Sequence, residues 1–392
     1  MTAPAGLKID GEQRERLRER LRSLGFDEVR FARAAGEFGR GLKEWFAAGM
    51  HADMAWMERT VDKRTRADLV LPGVQSVIIL GVNYWPGAPV DQRISGSGKP
   101  RWARYALQED YHDTMKPGLI AAGRLLEEMA AVSEADYRYY VDTGPVLERG
   151  WAARSGLGFR GKNAMLISKT HGNWLFLASI LTRVEITPDE PLRKTERLPD
   201  DGEQAGLLCG KCTRCLDACP TDAFSAPGVV DARRCISYQT IENKGIIPRE
   251  LRSGIGARIY GCDVCLEVCP WNRFAKQGRQ MLLAARHDLA DLSLQEILEL
   301  TPERFTEVFR RTPIKRLKFT GLLRNACVVA GNSGDVSLLP RVLRLVSHDS
   351  VMVRSHAVWA AKRLAGRDAE ALLKISRAQE SDAQVLAEYE AD

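Results

Sequence analysis

The sequence has few features that would carry the chain out of a cell or into a membrane. No apolar run reaches the length needed to span a bilayer. The first twenty residues contain neither an apolar signal segment nor an adjacent pair of arginines, so we expect no export. Disulfides do not fit a chain without an export signal. We therefore expect a cytoplasmic protein that has no association with membranes.

Common nucleotide-binding fingerprints are also missing. The sequence has neither a G-x-G-x-x-G run followed by a ribose-binding acid nor a Walker pattern, so no nicotinamide or ATP site is predicted. The 392 residues, of which 45% are hydrophobic and 28% charged, are typical of an ordinary protein with two or three domains. A formal net charge of +6 permits nucleic-acid binding but does not require it.

Eight of the nine cysteines fall within 61 residues, and their spacing is typical of two iron–sulfur clusters. The first run is C-x2-C-x2-C-x3-C-P and the second is C-x2-C-x3-C-P, with one cysteine between them. A zinc site, the alternative, favours isolated C-x2-C pairs over such runs. The ninth cysteine, Cys327, lies in an apolar helical stretch and is predicted to be a core residue.

The spacing also predicts which cysteine binds which cluster. The cysteine before the proline in such a run ligates the other cluster of the pair, and the cysteine between the runs fills the remaining place. Two [4Fe–4S] clusters indicate a protein that moves single electrons. The predicted ligands are Cys209, Cys212, Cys215 and Cys269 for the first cluster, and Cys219, Cys235, Cys262 and Cys265 for the second.

The pattern along the chain predicts a mixed α+β or α/β protein. Strands alternating with helices over 1–185 indicate an α/β sandwich or a doubly wound sheet. A charged, proline-rich linker is expected over 186–206, a ferredoxin-like module with two clusters over 207–275, and helices over 276–392. The individual elements predicted are a helix over 11–24, strands over 77–84, 137–141 and 174–181, and a helix over 110–131 that breaks near Pro117.

The helical part carries a weak internal repeat. The segments around Arg324 and Arg354 both begin apolar helices, and these arginines are 30 residues apart. Two-helix units of this period resemble short HEAT-like repeats, with plain helical packing as the alternative.

A basic segment, residues 304–324, begins the helical part. It contains seven Lys or Arg residues, one acid, and the interleaved Phe305, Phe309 and Phe319. Cations for phosphates together with aromatics for unstacked bases are the composition expected for RNA binding, whereas the alternative is a solvated helix face. Arginines that would extend such a surface are Arg341, Arg344, Arg354 and Arg363.

A glycine-rich, cationic segment at 139–163 is the other candidate for chemistry. Glycines permit close backbone approach to a ligand, and cations suit phosphate or carboxamide oxygens. Asp142 follows an apolar strand and precedes Thr143-Gly144-Pro145. A partly desolvated carboxyl at this position is predicted to have a raised pKa and to act as a general acid. The alternative is a helix N-cap.

This segment resembles the epoxyqueuosine reductase family. The resemblance covers most of the chain in the right order, both cysteine runs included. Members are cytoplasmic enzymes with two [4Fe–4S] clusters and a cobalamin, and they reduce the epoxide on the modified wobble base of certain tRNAs. Matching pieces are Lys63-Arg64-Thr65, Leu71-Pro72-Gly73, Asp110-Tyr111-His112, Val141-Asp142-Thr143, Pro145-Val146-Leu147-Glu148-Arg149, Gly156-Leu157-Gly158, Gly161-Lys162-Asn163, Cys235-Ile236-Ser237-Tyr238, Thr240-Ile241-Glu242 and Leu323-Arg324-Asn325-Ala326.

The resemblance implies an oxidoreductase that passes electrons through both clusters to cobalamin, with Asp142 protonating the departing oxygen. It also implies a tRNA partner, an external electron donor and a monomer. A D-x-H-x-x-G pattern is absent, so the cobalt would have no histidine ligand from the protein. The implied cobalamin contacts are Arg64, Asp142, Lys162, Asn163 and Ser237.

Two other functions remain open at this point. A reductive dehalogenase shares the plan of cobalamin and clusters, but such enzymes typically carry a twin-arginine export signal. A ferredoxin-like electron carrier would leave the first 185 residues unexplained. Cobalamin spectra would separate the carrier from the two enzymes.

Overall fold

The computed structural model describes residues 8–36, 39–94, 99–192 and 205–391, which pack into two compact units. The first unit takes the chain up to residue 87 together with 111–231 and 264–284. The second takes 88–110, 232–263 and 285–392. These units cut across the consecutive ranges expected from the sequence, whose boundaries stay a prediction. Most of the predicted linker, 193–204, lies outside the described residues.

The first unit is built on a sheet of four strands. They are β1 (Glu28–Arg33), β2 (Ser76–Asn83), β3 (Tyr137–Tyr140) and β4 (Leu175–Thr182), arranged in the order β1-β2-β4-β3. Every neighbouring pair is antiparallel, so the expectation of a doubly wound sheet is wrong. β2 is buried along its whole length, and this explains its unbroken apolar sequence, which is more typical of a parallel strand.

Helices pack against this sheet. Trp151 of helix Glu148–Arg154 lies fully buried among apolar side chains of β2 and β4. The helix predicted over 110–131 is divided where a proline occupies the first turn of its longer part. Helices of the first unit are Gly11–Ser23, Arg40–Ala47, Ala55–Glu58, Val61–Thr65, Tyr111–Thr114, Lys116–Ala130, Glu148–Arg154, Arg214–Asp217 and Val264–Glu267. Its shorter strands are Lys8–Ile9, Gly158–Arg160, Leu166–Ser168, Glu185–Ile186, Phe224–Ala226 and Val229–Val230.

The second unit is mainly helical. Helix Lys318–Ser333 packs against Val351–Ala365, and Cys327 is fully buried in this core as predicted. HEAT-like repetition stays a prediction. The helices are Ala88–Ile94, Ile236–Ile241, Arg249–Ile255, Leu294–Leu298, Pro302–Phe309, Lys318–Ser333, Leu339–Leu345, Val351–Ala365, Ala369–Gln379 and Ala383–Glu390, and the strands are Arg101–Trp102 and Arg258–Tyr260. Among the described residues, no helix has both the length and the apolar character that crossing a bilayer requires.

Candidate functional site

The chain turns sharply after β3, and this turn presents Asp142. The backbone of Asp142 is in the left-handed region, with φ of 58°, which is uncommon for a residue with a side chain and clusters at functional sites. Thr143 N–H donates to the carbonyl of Val141 at 2.6 Å. At Gly144 a Cβ would lie 2.3 Å from Tyr140 Cγ, so only glycine lets the loop fold back this closely.

Two side chains hold the carboxyl of Asp142. Tyr111 Oη donates a hydrogen bond to Oδ2 at 2.6 Å, and His112 Nε2 lies 3.5 Å from the same oxygen. The ring of Tyr111 is fixed by stacking on Phe176 of β4, with ring centroids 4.3 Å apart. The capping alternative is wrong, because the next helix begins at Glu148 and has Leu147 at its N-cap position.

The environment of Asp142 lowers its pKa. Desolvation pushes the pKa of the carboxyl up, but hydrogen bonds from His112 and Tyr111 and the charges of His112 and Arg149 outweigh it. The expected raised pKa is therefore wrong for this residue. The Asp142 side chain is 67% accessible, so a ligand can reach its carboxyl. We call the group Arg64, Tyr111, His112, Asp142, Glu148 and Arg149 the acid recess.

The raised pKa belongs to Glu148 instead. Desolvation and the charge of Asp142 raise the pKa of Glu148 to about 8, and a hydrogen bond from its own backbone N–H and the cations Arg149 and Arg64 offset this only in part. Its Oε1 is enclosed and has no hydrogen-bond partner. Sequence reasoning missed this residue, although it lies in a stretch shared with the family. No local pattern marks it, because its burial depends on the packing of distant segments.

Arg64 belongs to the same group of charges. Its side chain is buried, its Nε donates to Thr60 Oγ1 at 3.0 Å, and its guanidinium lies 5.4 Å from the ring of Trp56. Desolvation lowers the pKa of Arg64, while the carboxyls of Glu148 and Asp142 raise it. The structure thus brings together two of the implied cobalamin contacts, Arg64 and Asp142.

A separate cavity of the first unit, which we call the cluster cavity, is lined by four thiols. These belong to Cys209, Cys212, Cys215 and Cys269, the set predicted for the first cluster. Burial raises the pKa of Cys209 and, with the neighbouring thiols, raises that of Cys215 to about 11. Bound iron would deprotonate them.

The loop that carries the first thiols is held by Lys162. Its Nζ donates to the carbonyls of Gly210 at 2.9 Å and Cys212 at 3.1 Å. At Gly206 a Cβ would lie 2.5 Å from Lys162 Cγ, so glycine is required for this approach. Asn163 Nδ2 donates to the carbonyl of Cys265 at 3.2 Å. Two implied cobalamin contacts, Lys162 and Asn163, therefore line the cluster cavity.

The remaining predicted ligands, Cys219, Cys235, Cys262 and Cys265, are all partly exposed. In the first unit, Cys219 Sγ accepts a hydrogen bond from Ala223 N–H at 3.3 Å. In the second unit, Cys235 precedes helix Ile236–Ile241, which carries the half-buried Ser237, and Cys262 packs on the core.

The basic segment 304–324 of the second unit is only partly available to a ligand. Phe305 and Phe309 are buried in the core, so the expectation that they stack on bases is wrong. Arg324 is buried too and donates to backbone carbonyls, among them that of Asn243 at 2.6 Å. The exposed cations are Arg304, Arg310, Arg311, Lys315, Arg316 and Lys318, which leave phosphate contact as a prediction.

A cavity lined by four thiols is typical of an iron–sulfur protein. Residues 208–272 match the family model described as "4Fe-4S double cluster binding domain". Residues 64–143 match the one described as "Epoxyqueuosine reductase QueG, DUF1730".

A known epoxyqueuosine reductase is similar to this chain over more residues than the two family models match. The epoxyqueuosine reductase of Vibrio cholerae is 37% identical over 341 residues, which are 86% of this chain and 88% of that protein. The chain therefore belongs to the epoxyqueuosine reductase family.

Two solved structures are also similar. A crystal structure of epoxyqueuosine reductase with an epoxyqueuosine-modified tRNA-Tyr stem loop has a TM-score of 0.78 at 27% identity and covers 96% of each chain. The Bacillus subtilis epoxyqueuosine reductase, whose catalytic loop is swung out of the active site, has a TM-score of 0.78 at 29% identity with the same coverage.

Proposed function

We propose that this chain is an oxidoreductase that reduces the epoxide of epoxyqueuosine at the tRNA wobble position to queuosine. The observation that carries the proposal is the placement of Asp142: an accessible carboxyl held by two hydrogen-bonding side chains, in the same compact unit as a cavity lined by four thiols. The name of the Vibrio cholerae relative and the tRNA stem loop in the related crystal structure supply the substrate class.

The residues present fit the cofactors that this function needs. The four thiols of the cluster cavity would hold one [4Fe–4S] cluster, and the ligand set of the second cluster stays as predicted from the spacing. Cobalamin carries peripheral amides, which an accessible carboxylate and an accessible guanidinium suit. Asp142 and Arg149 provide these groups in the acid recess, and Arg64, Lys162, Asn163 and Ser237 remain proposed contacts. When bound, cobalamin would supply a low-valent cobalt nucleophile that the clusters keep reduced.

The role of the chain's own residues follows from the proton requirement. Reduction of an epoxide to an alkene takes two electrons and two protons, and the oxygen leaves as water. Asp142 would pass a proton to the departing oxygen, while Tyr111 and His112 orient its carboxyl. Because its pKa is lowered, Asp142 is ionised in the ligand-free chain at neutral pH and must receive its proton during the reaction.

The proposal includes the partners and the setting of the reaction. The tRNA backbone would contact exposed cations of the basic segment, among them Arg310 and Lys318. Electrons would come from an external low-potential donor. The enzyme would act as a monomer in the cytoplasm.

The test is an anaerobic assay of the chain after reconstitution with iron, sulfide and cobalamin. The substrate is tRNA from cells blocked at the epoxide stage, and nucleoside mass spectrometry measures the product. We expect queuosine to form only when cobalamin and a reductant are both present. Bound cobalamin with unchanged tRNA would instead favour a dehalogenase-like enzyme. Clusters without bound cobalamin would favour an electron carrier.

A further inference from the structure

Glu148 is the group of the acid recess that the proposed mechanism leaves unused. Among the described residues, it is the one whose carboxyl has an enclosed oxygen without a hydrogen-bond partner. It stands in the first turn of helix Glu148–Arg154, which Trp151 anchors in the core below the sheet. A buried carboxylate oxygen without a donor is costly, whereas a protonated carboxyl needs fewer partners.

We propose that Glu148 holds a proton beside Asp142 in the resting chain and supplies it to Asp142 within each turnover. This inference rests on the proposed function. The balanced reaction is epoxide + 2 e⁻ + 2 H⁺ → alkene + H₂O, in which both C–O bonds break and a second bond forms between the two carbons. The external donor supplies the electrons. Glu148 passes its proton to the ionised Asp142, which delivers it to the oxygen, and bulk solvent then reprotonates Glu148. A second transfer along the same route supplies the second proton.

The surroundings shift the pKa values of Asp142 and Glu148 in opposite directions. Asp142 is accessible and accepts hydrogen bonds from its neighbours, which favours its ionised form. The Oε1 of the half-buried Glu148 is enclosed, and the charge of Asp142 acts on this carboxyl, which favours the neutral form. A pair of carboxyls whose pKa values are pushed apart in one site is the usual sign of a divided acid–base role.

The cations around Glu148 do not reverse this assignment. Arg64 faces it from helix Val61–Thr65, and Arg149 faces it from its own helix. Desolvation of Glu148 outweighs both of these charges. Desolvation, together with the charge of Arg160 on strand Gly158–Arg160, lowers the pKa of the Arg149 guanidinium. The balance of charges therefore leaves Glu148 as the proton-bearing group of the recess.

The first test measures the protonation of Glu148 directly and needs no substrate. Isotope-edited infrared spectra of the whole chain with ¹³C-labelled glutamate carboxyls would be compared between the wild type and Glu148→Gln. We expect one protonated carboxyl at pH 7 that disappears in the variant and titrates near pH 8 in the wild type. In Asp142→Asn the midpoint should fall, because a negative charge is removed. A Glu148 carboxylate at pH 7 would overturn the proposal.

The second test uses turnover. Glu148→Gln keeps the size of the side chain but has no acidic proton, so turnover at pH 7 should fall about a hundredfold with KM unchanged. The decline of wild-type activity above pH 8 should be absent in this variant, and Glu148→Asp should restore part of the rate. Glu128→Gln, a change at an exposed glutamate paired with Arg20, is the matched control.

The two tests separate the possible failures. Wild-type turnover and an unchanged pH profile in Glu148→Gln would overturn the role of Glu148. If the wild type itself leaves epoxyqueuosine unchanged, the proposed function fails, yet the infrared titration still reports the state of Glu148. If Glu148→Gln does not fold, the wild-type midpoint and its shift in Asp142→Asn decide the matter.

Discussion

The cluster cavity and the acid recess lie in the same compact unit but are assembled in different ways. Three of the four thiols in the cavity come from one seven-residue run, Cys209 to Cys215. The recess collects its side chains from helix Val61–Thr65, helix Tyr111–Thr114, the turn after β3 and helix Glu148–Arg154. The comparison teaches that electron chemistry can be encoded in local spacing, whereas proton chemistry depends on which distant segments pack together.

The electrostatics of the two regions differ in the same way. The cavity is lined by several groups of one kind, the thiols, and burial raises the pKa of Cys209 and of Cys215. In the recess, the pKa values of the two carboxyls diverge, because desolvation dominates at Glu148 while hydrogen bonds from His112 and Tyr111 outweigh it at Asp142. The thiols of the cavity thus suit one metal cofactor, and the two carboxyls of the recess suit the transfer of a proton.

The largest expected effect comes from breaking the cavity. Cys212→Ala should remove one cluster, because a cubane needs four thiolates, and should abolish turnover. Iron and sulfide analysis together with electron paramagnetic resonance measures the loss. Cys327→Ala changes a buried thiol outside the segment that contains the eight predicted ligands, and it should keep both clusters. Retention of both clusters in Cys212→Ala would contradict the predicted ligand set.

A smaller effect is expected from loosening the recess. Tyr111→Phe removes the 2.6 Å hydrogen bond to Asp142, so the pKa of Asp142 should rise toward its ordinary value. More of the carboxyl is then protonated at a given pH, and activity should extend to higher pH while turnover at pH 7 changes by less than about tenfold. The pH profile of turnover measures the shift.

Tyr139→Phe provides the control for this prediction, since it makes the same change on β3. A loss of turnover in Tyr111→Phe as deep as that of an Asp142 variant would mean that Tyr111 supplies the proton itself.

The smallest effect is expected at Lys162, which lines the cluster cavity and is also an implied cobalamin contact. Lys162→Met removes two hydrogen bonds to the loop that carries Cys209 and Cys212, each worth about 1 kcal/mol. Clusters should therefore be lost in air several times faster than from the wild type. Because Lys162 is also a proposed cobalamin contact, cobalamin affinity should fall as well, whereas the control Lys169→Met at an exposed position should change neither property. An unchanged cobalamin affinity in Lys162→Met would remove Lys162 from the proposed contacts.

These differences explain how far the sequence could be interpreted. Three of the four strands, β2, β3 and β4, and the divided helix were predictable, because apolar runs and a proline mark them locally, whereas β1 was not predicted. The antiparallel order was not, since β2 is covered on both faces and has the apolar pattern of a parallel strand. Phe305 and Phe309 looked available to RNA until packing placed them in the core.

The candidate site divides along the same line. The four thiols that line the cluster cavity were grouped correctly from their spacing, whereas the second ligand set and the role of Asp142 stay predictions. The direction of its pKa shift did not follow, because it depends on Tyr111 and His112 about 30 residues away. The raised pKa of Glu148 could not be predicted for the same reason, since its Oε1 is enclosed only in the folded chain.

Asp142→Asn tests the separation of electron and proton chemistry most directly. Visible and electron paramagnetic resonance spectra would follow reduction of the reconstituted variant, and nucleoside mass spectrometry would follow its product from epoxyqueuosine-containing tRNA. We predict clusters and cobalamin that are bound and reduced as in the wild type, with turnover lowered by about 10² to 10⁴. Turnover within a few-fold of the wild type would contradict the assignment of proton delivery to Asp142.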